Sequence, residues 1–453
     1  MSDRQYIGYA RPLIAAGYAS MLRISAACLL IALTVPVRAA DTAPQLQAAI
    51  EGIRPKVVEW RRDIHRNPEL GNREVRTAEL VAVHLRSLGL EVRTGIAHTG
   101  VVGVLRGGRP GPVIALRADM DALPVTEETD LPFKSVATSE FRGETVGVMH
   151  ACGHDGHTAI LMGAASVLAA MREGLPGTVM FVFQPAEEGP PEGERGGAPL
   201  MLEEGLFSEV KPEAMFGLHL RAELNVGQVG YRSGPMMAGS DRFRIVVTGR
   251  STHGGRPWQG VDPIVTASQI VLGLQTIVAR QTDITRAPVV VSVGSIKGGV
   301  RFNIIPETVE LVGTVRTFDP EMRRETLESI ERIATQMAAA AGAVATVEPD
   351  SEPNKVVVND PALTERMLPT LKRIATPDGL VVPPLSTVAE DFSFYSDEVP
   401  TLYVFVGSTA ADRDAATAPS NHSPMFLIDE KSLDIGLRTL LGLTLDYLHG
   451  GSS

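Results

Sequence analysis

Apolar positions recur at helical spacing over residues 44–66 and 74–89, which predicts two amphipathic helices near the start of the chain. Two short apolar runs bounded by Gly and Pro follow, GVVGVL (100–105) and PVIALRA (112–118), and predict strands. TAILMGAASVLAAMRE (158–173) is long and strongly apolar, and predicts a helix. TVMFVFQ (178–184) and AMFGLHL (214–220) predict buried strands. Strands and helices in alternation indicate an α/β fold. Polar residues gather where these strands end: Asp119 and Asp121, Glu187 and Glu188, and His219. Open α/β sheets bind their ligands at the carboxyl ends of the strands.

The pattern changes near residue 231. FRIVVTGRSTHG is followed by a helical period at about 262–279, by VVVSVGSI and TVELVGTVRTF, by a second helix at about 320–341, and by AVATVEP. This β-α-β-β-α-β order predicts a small antiparallel sheet with two helices on one face, an α+β, ferredoxin-like insertion. The chain then returns to α/β character with PALTERMLPTLKRI (helix), TLYVFVG (strand) and SLDIGLRTLLGLTLDYL (helix). The expected organisation is therefore 40–230 and 351–453 as two parts of one α/β domain, with 231–350 inserted between them.

Composition narrows the functional classes. Hydrophobic residues make up 44% of the 453, enough for two real cores, and no low-complexity tract suggests disorder. The net charge of −11 argues against nucleic acid and anionic membrane surfaces as partners. The stretch MLRISAACLLIALTVPVRAA from Met21 has a basic residue, an apolar run too short to span a membrane comfortably, and Val37-Arg38-Ala39. That is the pattern of a secretory signal cleaved after Ala39, with an upstream extension before it, and it predicts export, in a bacterium to the periplasm, with no membrane anchor left behind. Cleavage would remove Cys28 and leave Cys152 without a disulfide partner. A lone thiol in an oxidising compartment is a liability unless something occupies it, and a metal ion would.

Chemistry-bearing residues cluster in MHACGHDGHTA, where His150, Cys152, His154, Asp155 and His157 fall within one short segment. Cys152 and His154, spaced i, i+2 at a strand-to-helix junction, can point at one divalent ion. In FQPAEEG, Glu187 and Glu188 follow a buried strand. Adjacent carboxylates there point in different directions, so one can bind a metal while the other takes a proton from water. Alone, the pair reads better as a solvated acidic turn. His219, His422 in NHSP, His253 in STHGGRP, and Asn303 with Arg316 are weaker signals singly. The run GPPEGERGG lacks the lysine and the Ser/Thr of a phosphate loop.

Taken in chain order, RRDIHRNPELG, ALRADMDALPV, MHACGHDGHTA, FQPAEEG, GLH, STHGGRP, GGVRFNIIPETVELVGTVRT, AEDFSFY and NHSPMFLID resemble the aminoacylase/carboxypeptidase G superfamily of metallo-amidohydrolases. The resemblance is stronger to its hippurate hydrolase and indole-acetyl-amino-acid hydrolase branch. It implies a metallopeptidase-like catalytic domain with two divalent ions (Zn, Mn, Co or Ni), and an inserted lid that closes over the substrate and forms a homodimer. Carried over by motif, Cys152, His154, Glu188, His219 and His422 are the implied metal ligands and Glu187 the general base. Asp121 is implied to orient a ligand, His253 to stabilise the oxyanion, and Asn303 and Arg316 to grip the substrate carboxylate or carbonyl. The implied reaction is hydrolysis of N-acyl amino acids, hippurate-like or N-acetyl, to a carboxylic acid and a free amino acid. A metallo-dipeptidase or carboxypeptidase, and an N-acetyl-diaminopimelate deacetylase, remain alternatives within the superfamily. A non-catalytic periplasmic binding protein is the distant one. Many members carry His-x-Asp where this chain has Asp119-Met120-Asp121, and a carboxylate in place of Cys152, which leaves the metal's identity open.

Overall fold

Fully apolar strands need cover on both faces, and they set the architecture of this chain. The computed structural model describes residues 43–349 and 352–450; the signal-like stretch 1–39 lies outside them. An eight-stranded sheet runs in the order Glu91–Ile96, Gly100–Arg106, Pro176–Gln184, Arg109–Asp119, Ala214–Asn225, Thr401–Thr409, Val229–Gly230, Leu380–Val381. Its four central strands are parallel, with antiparallel strands added on the flanks. Alternate residues serve opposite faces, as the two-residue period of a strand requires. Leu116, Phe181 and Val404 pack on one side with the helices His154–Ala170, Pro361–Ile374 and Lys431–Leu448, while Ala115, Met180 and Tyr403 pack on the other with Met201 and Phe392.

The helix predicted over 158–173 begins at His154 and ends at Ala170. Its first turn is polar by composition yet wholly buried, so hydropathy alone places its start too late. The structure adds a strand, Glu91–Ile96, and a hairpin, Thr138–Phe141 with Glu144–Gly147, for which the apolar pattern gives no clear signal.

Residues 239–349 carry a second, four-stranded antiparallel sheet in the order Val290–Gly298, Thr308–Thr317, Gly239–Thr248, Val344–Pro349. Helices Pro263–Thr276 and Pro320–Ala340 pack on it through Ile270, Leu274, Ile330 and Ala334. Each starts with an aspartate cap: Asp262 accepts from the Ile264 N–H and Asp319 from the Met322 N–H. The segment Pro263–Gln281 is apolar enough and long enough to cross a membrane by length and composition, and its outer face leaves Ile264, Val265 and Leu272 exposed.

A buried ionic network ties the helix Ala43–Arg66 to the start of the His154 helix. Arg61 Nε donates to Asp155 Oδ2 at 2.7 Å, and the same oxygen lies 2.9 Å from His65 Nδ1. His65 Nε2 reaches Glu127 Oε1 at 3.2 Å. Removing one partner of a buried pair strands the other, so Arg61→Met is expected to lower the unfolding free energy by about 3–5 kcal/mol, read from the midpoint of urea unfolding. Burial works against a charged His65 ring, but the Asp155 and Glu127 carboxylates outweigh it and hold its pKa above the ordinary 6.5. The charged ring's stabilisation is therefore full below pH 6.5 and is lost as the pH rises through the folded-state pKa. The stability gap between wild type and His65→Asn is expected to narrow over that interval in unfolding titrations run at a series of pH values.

Candidate metal centre

Three neighbouring strands deliver side chains to one place. Asp119 ends Arg109–Asp119, Glu187 and Glu188 follow Pro176–Gln184, and His219 lies within Ala214–Asn225. The segment ahead of the His154 helix enters the same space. Its Gly153 takes φ 101, a left-handed conformation that favours glycine, and so turns the chain between Cys152 and His154.

The hydrogen bonds around these residues fix which atoms remain available. His154 Nδ1 faces the Asp121 carbonyl at 2.8 Å and Asp121 Oδ1 at 3.1 Å. A carbonyl only accepts, so Nδ1 carries a proton and Nε2 is the nitrogen left to face a metal; burial works against a charged ring, but the Asp119 carboxylate outweighs it and holds the His154 pKa well above the ordinary value. That Nε2 is buried, has no hydrogen-bond partner, and lies 3.8 Å from both Asp119 Oδ2 and Glu187 Oε2. His219 repeats the arrangement: Nδ1 donates to the Leu220 carbonyl at 2.8 Å, and Nε2 stands 3.4 Å from Cys152 Sγ. His422 Nε2 is 3.2 Å from the same sulfur and 2.9 Å from Glu188 Oε1, an approach to the carboxylate without hydrogen-bond alignment. His422 itself has φ 71 and is tied down by its N–H on the Ala151 carbonyl at 2.8 Å. Asp121 Oδ2 accepts from the Glu188 N–H at 2.9 Å, so one carboxylate holds parts of both groups.

Two sets of three donors share Cys152, one with His154 and His219 and one with Glu188 and His422, each with its ligand atoms within 4.8 Å of one another; Glu187 lies within the same distance of His154 and Glu188, and of Glu390 and Asp391. The sulfur belongs to both. A thiol, imidazole nitrogens and a carboxylate, with Asp121 behind His154, form a donor set that fits divalent first-row ions. The other histidines of the loop differ. His157 is satisfied at both nitrogens, by Asp119 Oδ1 at 2.6 Å and by the Leu220 N–H at 2.8 Å. His150 has no hydrogen-bond partner at either nitrogen, and burial pushes its pKa down to about 3, so the ring is neutral.

Negative charge is concentrated around the donors. The Glu187 side chain is 8% exposed. Burial, with the carboxylates of Glu390, Glu188 and Asp391 about it, holds its pKa well above the usual carboxylate range. Burial and Glu188 likewise push the Cys152 thiol up. Arg117, wholly buried, is the guanidinium that answers this charge: it reaches Asp119 at 2.6 Å, Glu390 at 2.9 Å and Asp391 at 3.0 Å, and its Nε donates to Gln184 at 2.9 Å.

Seven of the sequence-derived site residues meet here: Cys152, His154, Glu187, Glu188, His219, His422 and Asp121. The other three do not. His253 is exposed on a two-stranded ribbon with Ile304, and its Nδ1 accepts from the Gly255 N–H at 2.9 Å. Asn303 lies beside it, its carbonyl accepting from the Gly254 N–H at 2.8 Å. Arg316 Nε donates to the Thr387 carbonyl at 3.1 Å. Among the described residues no hydrogen bond or ion pair joins these three to the Cys152 cluster. Sequence reasoning missed Arg117, Glu390 and Asp391. An arginine inside the apolar run PVIALRA was the available signal, because a buried charge demands partners.

The model of Peptidase family M20/M25/M40 matches residues 115–446. Thermostable carboxypeptidase 2 of Saccharolobus solfataricus is 38% identical over 87% of this chain and 96% of that protein. N-acetyl-L-cysteine deacetylase of Bacillus subtilis is 38% identical over 82% of this chain and 83% of its own length. Among solved structures, the Bacillus subtilis YXEP protein, described as a dinuclear metal binding peptidase from the M20 family, superposes with a TM-score of 0.72 at 34% identity, covering 88% of this chain and 99% of that one. A hydrolase fold, a matching family model over most of the length and relatives at this identity leave one conclusion: the chain belongs to peptidase family M20/M25/M40.

Proposed function

We propose that this chain is a metal-dependent amidohydrolase that cleaves the amide bond of N-acyl amino acids, hippurate-like or N-acetyl, releasing a carboxylic acid and a free amino acid. One observation carries the reading: a buried carboxyl, Glu187, stands 3.8 Å from the free Nε2 of His154 while belonging to neither donor set built on Cys152. Cys152, His154 and His219 would hold one divalent ion, and Cys152, Glu188 and His422 a second, of zinc, manganese, cobalt or nickel. The chemistry such ions supply when bound is Lewis acidity toward the amide carbonyl and a lowered pKa for the attacking water.

The chain's own groups do the rest. Asp121 fixes the His154 tautomer and the Glu188 backbone. Glu187 Oε2 takes the proton from the attacking water and returns it to the leaving amine; burial, which raises its pKa, suits it to hold that proton between the two transfers. His253, Asn303 and Arg316 belong to the inserted domain, 231–350, and meet the substrate when that domain closes as a lid over the catalytic part. There His253 stabilises the oxyanion, and Asn303 and Arg316 grip the substrate carboxylate or carbonyl. The name of the deacetylase relative supports an N-acyl substrate, and the name of the carboxypeptidase relative favours a second reading, a peptide cut at its carboxyl end. The exposed apolar face of the lid helix, with Ile264, Val265 and Leu272, and Ile296 on the neighbouring edge strand, supports a homodimer through the lid. The signal-like segment before Ala40 supports export, to the periplasm in a bacterium.

Hydrolysis of hippurate, N-acetyl amino acids and dipeptides is expected to vanish on chelation and to return with one of the four ions, the N-acyl compounds being the better substrates. Glu187→Gln is expected to keep its metal and fold and to lose turnover by about 10²–10⁴-fold, the range for a general acid–base group. A variant as fast as wild type would reassign the base. Leu272→Glu is expected to shift the sedimenting species from dimer to monomer, while a wild-type monomer would remove the dimer from the reading.

A further inference from the structure

The segment after RRDIHRNPELG has no part in the reaction above, yet it forms the back wall of the loop that carries Glu187. Ala186, directly before Glu187, takes φ 50 and is 2% exposed. A non-glycine residue in this region is strained by roughly 1–3 kcal/mol and persists only where its surroundings over-determine it. The surroundings here come from residues 71–74. Glu74 Oε1 accepts from the Ala186 N–H at 2.8 Å, and Glu74 Oε2 accepts from the Thr99 hydroxyl at 2.5 Å. The Glu74 side chain is fully buried. Gly71 lies so close that a Cβ there would stand 2.9 Å from the Gly189 carbonyl and 3.1 Å from Ala186 Cα, so the backbones meet directly. Asn72 Nδ2 holds the far end of the loop at the Arg195 carbonyl, 3.0 Å away. On the other side of Glu187, the Glu188 N–H is fixed on Asp121. The Glu188 peptide that follows Glu187 and the Pro185–Ala186 peptide that precedes Ala186 are therefore each clamped by a buried carboxyl group.

We propose that Glu74 is a positioning residue for the Glu187 carboxylate: by holding the Ala186 peptide in its left-handed turn, it aims Glu187 beside His154. The inference rests on the reading of Glu187 as the proton carrier. The hydrogen bond supplies the effect, not the charge. Glu74→Gln keeps a carbonyl acceptor for Ala186, and its amide can donate to the Thr99 oxygen. Glu74→Asp keeps the carboxyl group but is one methylene too short to span both partners.

The experiment compares the full-length, metal-loaded Glu74→Gln, Glu74→Asp and Glu74→Ala proteins for kcat, KM, metal stoichiometry and thermal unfolding, with the Asp variant also made in a Glu187→Gln background. The Gln variant is expected to turn over close to the wild-type rate. The Asp and Ala variants are expected to lose about 100-fold in kcat, the scale of a small misplacement of a reacting group, with KM and bound metal unchanged. In the Glu187→Gln background the Asp substitution is expected to cost nothing further, because two residues acting through one function are not additive. Should Glu74→Ala fail to fold, the Asp and Gln pair carries the comparison. Full kcat in the Asp variant, losses that track lost metal, or additive losses in the double variant would overturn the proposal. Undiminished turnover in Glu187→Gln alone would overturn the reading of Glu187, and the positioning role with it.

Discussion

Concentrated, partly compensated negative charge is the constraint around which the centre of this molecule is built. The carboxylates of Asp119, Asp121, Glu390 and Asp391 are buried at the ends of the central strands, and Glu187 is nearly so. Arg117 is the buried guanidinium set among them. Isolated buried carboxylates are costly and respond by binding protons or cations. The raised pKa values of Glu187 and of the Cys152 thiol express that pressure in the chain alone. Positive charge brought from outside would relieve it at Cys152 and Glu188, which is the physical sense of a candidate metal site here. The parallel strands make the arrangement possible, because they bring residues far apart in sequence to adjacent strand ends.

Much of this was legible in the sequence, and what was not has a common cause. The buried strands and the β-α-β-β-α-β insertion follow from apolar periodicity, and their residues reappear in the two sheets. The seven residues that gather at Cys152 were named together by motif and resemblance, since singly most of them have a bland reading as structural histidines or a solvated acidic turn. The start of the His154 helix was not, because hydropathy counts His154, Asp155 and His157 as polar while pairing makes them interior residues. The roles of Arg117 and Glu74 were hidden for the same reason. Each is a charged side chain whose partners lie far along the chain, Glu390 for the one and Ala186 for the other, and no local pattern encodes such a distance.

The inserted domain shows the opposite limit. His253, Asn303 and Arg316 are named by motif, yet in this structure they bond to their own ribbon and to the Thr387 carbonyl. A residue that acts only after a domain moves, or from a partner chain, leaves no contact at the site in a single conformation. The two classes of residue differ in energetic character as well. His154 and His219 are held by buried hydrogen bonds from Nδ1, whereas His253 is exposed and can change its surroundings at little cost.

Asp121 has a consequence for the spacing of the two donor sets. One of its oxygens lies against His154, in the first set, and the other takes the backbone N–H of Glu188, in the second. The separation of the sets is thereby gauged by the width of one carboxylate rather than by the packing of two long loops. The loops before and after can drift in sequence and length while that gauge keeps the interval constant. A longer side chain at 121 would displace both sets together, and an amide, with a single acceptor oxygen, could not serve both, leaving one of them without its side-chain anchor.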